Sequence, residues 1–147
     1  MTATHVVLSA GALAASLVAA VWGAVCWYRG RVPAFWPLLR GTQAALVLQA
    51  AWGGVLLLAG RNQPEGLHSL YGVLPVAIMF FAEQFRISAA QQVLDARGLE
   101  DARAVGRLPE FEQRLVVLAI VRREVAVMAL AAFVCLLLGL RAWMTAG

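Results

Sequence analysis

The few side chains in this sequence that can do chemistry fall mostly on one line. His68, Tyr71, Gly72, Pro75, Met79, Glu83 and Arg86 recur at three- and four-residue spacing. At about 100° per residue they lie within about ±60° of a single helix face. Leu74, Phe81 and Phe85 lie away from it. Polar groups that enter a membrane turn toward the bundle interior. The spacing therefore predicts an inward stripe of His68, Tyr71, Met79, Glu83 and Arg86.

His68 stands at one end of that stripe. An imidazole there offers a ligand to haem iron or a metal, or a proton-exchanging group at a quinone pocket with Tyr71 beside it. His5 is the other histidine of the two. Two axial histidines from separate helices would hold a b-type haem. The competing reading is an interfacial imidazole bonded to nearby backbone or to Tyr71. His5 also lies close to a chain end, where helices fray.

Glu83 lies one long helix stretch further on, about 22 Å from His68 along the axis. Arg86 follows at i+3 and can pair with it. The pair is either a structural ion pair or a proton or cation site at the mouth of an oligomeric channel. Glu124, beside Arg122 and Arg123, reads as an anchor at the same boundary. Gln43 and Gln49 are about 240° apart on a helical wheel, so at most one is expected to point inward. Cys26 and Cys135 form no CxxC or metal spacing and read as small buried hydrophobes. There is no Gly-rich phosphate loop, no HExxH, no Ser-centred elbow and no pair of inward carboxylates. No catalytic residue or metal site is assigned, and a non-enzymatic role is expected.

The elements that carry these residues follow from composition. Of 147 residues, 62% are hydrophobic and 14% charged, and mean hydropathy is +0.77. A chain this small cannot hide that much apolar surface in water, so its expected solvent is lipid. Apolar segments cover about 5–28, 37–60, 67–87 and 125–143, each long enough to cross ~30 Å of hydrocarbon as a helix. The first lacks a basic leader, is too long for a signal h-region, and has Val25 before Cys26, so it reads as a retained helix. The fold expected is an all-α, four-transmembrane-helix, up-down-up-down bundle forming one domain.

Arginine placement orients it. All twelve basic side chains are Arg. Arg29, Arg31 and Arg40 lie in the first connection, and Arg86, Arg97, Arg103, Arg107, Arg114, Arg122 and Arg123 in the third. The second connection holds Arg61, offset by Glu65. The positive-inside rule then places both termini outside a bacterial cytoplasmic membrane. The net charge of +4 is explained by that orientation, and nucleic acid is not an expected partner. The lack of Lys among abundant Ala, Gly, Val and Arg suggests a bacterial genome.

Helix one carries two rows of small residues, Gly11-Ala15-Ala19-Gly23 and Ala12-Ser16-Ala20-Ala24. Helix two adds Ala50, Gly53 and Gly54. Such faces favour tight packing and a homo-oligomer or larger membrane complex. The third connection predicts extension of helix three to about residue 97, a C′ glycine at Gly98, and a new helix from about 110 with Pro109 in its first turn. Matching stripes of Ile87, Ala90, Leu94 and Phe111, Leu115, Leu118 predict a cytoplasmic helical hairpin; a helix lying flat in the lipid interface is the alternative. Residues 87–121 would then offer a surface to a cytoplasmic protein. Function is expected to be that of an accessory or scaffold subunit, with a haem- or quinone-binding protein using His68 and Tyr71 as the alternative.

Overall fold

A computed structural model describes residues 2–32, 34–60 and 66–145. Arg61 and Glu65 lie outside the described residues. The elements are α1 (Ala3–Arg29), α2 (Phe35–Leu58), α3 (Gly66–Asp95), α4 (Ala102–Val105) and α5 (Glu110–Met144). The described residues form no strand. Helices α1, α2, α3 and α5 are each long and apolar enough to cross a membrane.

Local chemistry sets most ends. The Thr2 hydroxyl accepts the His5 backbone N–H and caps α1, which stops at Gly30 with φ 65°. Helix α2 starts at Phe35 rather than at Pro37, so the proline occupies its first turn, where a missing N–H costs nothing. Helix α3 ends in a Schellman motif around Gly98 (φ 65°), with Leu99 N–H to Leu94 O and Gly98 N–H to Asp95 O, both at 3.0 Å. The short α4, not foreseen, is capped by Asp101 accepting the Ala104 N–H at 2.8 Å. Pro109 is the residue before α5, not a member of its first turn. Glu110 and Glu112 stand in that turn, near its positive end.

Cross-helix bonds define the bundle. Thr42 Oγ1 donates to Ala15 O at 3.2 Å and joins α2 to α1. Gln43 donates to Glu83 at 2.8 Å and joins α2 to α3. Cys135 Sγ lies 3.4 Å from Pro75 O and joins α5 to α3. Arg122 Nε donates to Trp27 O at 3.2 Å and joins α5 to α1. Second contacts, Gly23 with Phe35 and with Ala129, Gly72 with Gln49 and His68 with Ala142, show that partner numbers fall on one helix as they rise on the next, so every neighbouring pair is antiparallel. The ring runs α1–α2–α3–α5, and α1 and α3 are diagonal. The α3–α5 interface is the most extensive and α2–α3 the least.

The core is apolar and continuous, with Leu39, Leu46, Met79, Val125, Met128 and Ala132 among its members. Gly23 allows the closest approach: a Cβ there would stand 2.7 Å from Ala129 Cβ and 2.7 Å from a Phe35 ring carbon. The buried face of α1 draws on both small-residue rows, through Ala12, Ser16, Ala19, Ala20 and Gly23. Gly11 and Ala24 point outward. Large hydrophobics such as Val18, Leu48, Phe80 and Leu130 are exposed around the spans, an outside suited to lipid.

Beyond the spans, α3 and α5 continue side by side, but the seam differs from the expected stripes. Val93, Leu94 and Val116 are buried, whereas Ile87, Leu115 and Leu118 are exposed and Phe111 is 72% exposed. Helix α5 is one continuous rod. The line it turns to α3 through Ala142, Cys135 and Glu124 extends toward Val116, while Phe111 and Leu115 fall about half a turn away.

Candidate functional site

The polar residues of α3 are divided between two ends of the bundle, with the apolar core between them. At one end, His68 on α3 and His5 on α1 meet across the diagonal. Their ring centroids are 6.0 Å apart, with an interplanar angle of 64°. Both are buried, His5 at 5% and His68 at 7% exposure. Near the chain end where fraying is expected, the His5 backbone N–H is bonded to the Thr2 cap and its side chain is buried. His68 Nδ1 lies 3.0 Å from Ala142 O. A carbonyl only accepts, so Nδ1 carries the hydrogen and donates, and in the neutral form of the ring Nε2 is then the acceptor. His5 Nδ1 is buried with no hydrogen-bond partner among the described residues. A buried polar atom in that state costs about 1–3 kcal/mol unless something bonds to it.

Space adjoins the pair on two sides. A cavity of about 70 Å³ lies between His5, His68, Gln49, Gly53 and Gly72. A second, of about 20 Å³, runs toward the bundle axis past Tyr71, Gln49 and Ser16. Ser16 is 1% exposed, and its hydroxyl has no partner among the described residues. Tyr71 thus shares the second cavity with His68.

The other end holds Glu83 and Arg86. Glu83 accepts from Arg40 at 2.5 Å, from Gln43 at 2.8 Å and from Arg86 Nε at 3.1 Å. Arg86 also reaches Glu124 at 3.3 Å and lies over the Trp36 ring, 5.1 Å from its centroid. The network ties α2, α3 and α5 together. Met79 belongs to the apolar core between the ends and touches neither centre's chemistry. Between the two centres the described residues are mainly apolar, with Ser16 and Thr42 the buried polar side chains among them.

Both glutamines face α3, which corrects the expectation of at most one. Gln43 bonds Glu83, and Gln49 Nε2 would lie 3.9 Å from a Cβ on Gly72. Their 240° separation is 120° the short way round, so each flanks the line aimed at α3 and its long side chain reaches across. A lone glutamine in an apolar span was the available signal for this. The competing reading of His68 as an imidazole bonded to backbone matches its contact with Ala142 O; that the carbonyl comes from α5 was not indicated by the sequence.

The donor set can be tested against the groups it suggests. Two imidazoles sharing one metal at about 2.0–2.1 Å per bond have centroids ~6 Å apart, so the spacing alone suits a shared ion. The spaces beside the pair are about 70 Å³ and 20 Å³, below the about 300–1,000 Å³ of sites that enclose a whole drug-sized ligand, so a macrocycle such as a porphyrin is too large for them and a smaller ligand would enter by one ring alone. Among the described residues, no cluster of three or more His, Cys, Asp or Glu could complete a metal site. What the centre offers is an imidazole held through its Nδ1, an unpartnered imidazole nitrogen and an amide around a small open cavity.

No protein family, curated protein or solved structure matches the chain.

Proposed function

We propose that this chain is a small multi-pass membrane protein that binds the ring of a quinone or quinol at its histidine end. The observation that carries the reading is the meeting of His5 and His68 from diagonal helices, both buried, with His5 Nδ1 unpartnered. A quinone ring presents two oxygens that accept or donate hydrogen bonds in its two redox states. In the neutral ring His68 Nε2, left as the acceptor by the Ala142 contact, suits the hydroxyl of the quinol. His5 and Gln49 supply further groups at the same cavity. Binding of a short-tailed quinol to the purified protein tests this. His68→Ala and His5→Ala should each weaken it at least about tenfold, the value of one good hydrogen bond to a buried partner. Equal binding by wild type and both variants would contradict the reading.

The proposed setting is a bacterial cytoplasmic membrane with the histidine end outside. Arg29, Arg31, Arg97, Arg103, Arg107, Arg114, Arg122 and Arg123 gather at the other end. A second reading, an accessory subunit of a membrane complex, is favoured by Phe111 standing 72% exposed on the extension beyond the spans. Isolation in mild detergent separates the two: a lone chain retaining its ligand argues for the first, and a defined partner lost on Phe111→Ser argues for the second.

A further inference from the structure

We propose that the ligand reaches the histidine centre sideways from the lipid phase, through an opening between α2 and α3, and so carries an apolar tail. This rests on the quinone reading and adds the route and the tail. The cavity beside the pair is lined by α2 through Gln49, Gly53 and Gly54 and by α3 through Ser69 and Gly72, with His5 of α1 behind. Helix α5 contributes nothing to that lining, so the space does not lie on the bundle axis. Its remaining wall residues are Ala50, Leu57 and Val73, the last two exposed by 55% and 58% on the lipid-suited outside. The cavity is therefore polar at its depth and apolar at its rim, the distribution of a ring with a hydrocarbon tail.

The glycines of this opening behave unlike those of the core. At Gly23 an added Cβ would stand 2.7 Å from two neighbours, so glycine there draws helices together. At Gly54 nothing lies within 4 Å of such an atom, and at Gly72 only Gln49 Nε2 does, at 3.9 Å. Small residues in membrane helices ordinarily permit close approach. Here they face space that a leucine would fill, along the least extensive interface of the ring. The absence of side chains keeps the seam open where a tail would pass.

The test uses the full chain in lipid nanodiscs, with a ring-only quinol and the same ring bearing a two-isoprene tail as probes. Wild type should bind the tailed probe at least about tenfold more tightly, the gain expected once two or more methylenes enter the groove. Gly54→Leu should remove that preference while leaving ring-only binding within about twofold, a shift far below one hydrogen bond. Gly11→Leu, on an outward face of α1, should change nothing. Should Gly54→Leu not fold, Leu57→Ser at the exposed rim should lower the same preference. Equal affinity of wild type for both probes, or an undiminished tail preference in Gly54→Leu, would overturn the route while binding sensitive to His68→Ala left the ring site standing. Failure of wild type to bind either probe would overturn both.

Discussion

At the scale of single residues, the two polar centres were legible to different degrees. The stripe from His68 to Arg86 was readable because helical periodicity puts residues three and four apart on one face. Their partners were not, because those partners sit on other helices. Glu83 shows the difference. Sequence spacing identifies Arg86 at i+3, but Arg40 and Gln43 become partners only when α2 packs against α3. The geometry makes Glu83 the hub, with its side chain 22% exposed, and Arg40 a rim member at 52%. Glu83→Ala should therefore destabilise the bundle by about 1–3 kcal/mol, since it strands three donors. Arg40→Ala should cost no more than ~0.5 kcal/mol, because water screens and replaces it. Thermal unfolding in detergent reads both, and equal losses would mean that Glu83 is not the hub. His5 and His68 were pairable from sequence, as histidines of diagonal helices, and the structure brings their rings to 6.0 Å; the cavity beside them was not, because it depends on how all four helices are arranged.

At the scale of elements, helix existence and most boundaries were legible, whereas the choice of buried face was not. Apolar length defines a span, and Gly98 ends α3 as its left-handed conformation demands. The face is decided by neighbours. Helix α1 presents Gly23 to α2 and α5 but leaves Gly11 outside, although both belong to one row of small residues. The two extended arms are present, but their seam differs from the expected one for the same reason: Phe111, Leu115 and Leu118 form a stripe that the register of the α5 rod turns outward. Two substitutions separate these roles. Gly23→Ala should destabilise by about 1–3 kcal/mol through overpacking against Ala129 and Phe35. Gly11→Ala should be neutral or gain up to ~1 kcal/mol from helix propensity. A neutral Gly23→Ala would contradict the close α1–α5 contact.

At the scale of the whole molecule, the bundle is polar at both ends and mainly apolar between them. The apolar part, Met79 and Met128 among it, lies between a small open cavity at the histidine end and an ion-pair network at the arginine end. This arrangement suits a protein that holds a ligand at one surface better than one that conducts through a single bundle. Composition made the lipid setting legible, because apolar content is a bulk property. The ligand site was legible only as two histidines, since its cavity arises from the spacing of α2 and α3. The most direct measurement is an absorption spectrum of the gently purified protein together with analysis of its organic extract. The account predicts a bound quinone with ultraviolet absorbance, reduced in His68→Ala and His5→Ala, and no Soret band. A Soret band lost in those variants would contradict it, as would a wild-type extract free of quinone from membranes that contain it.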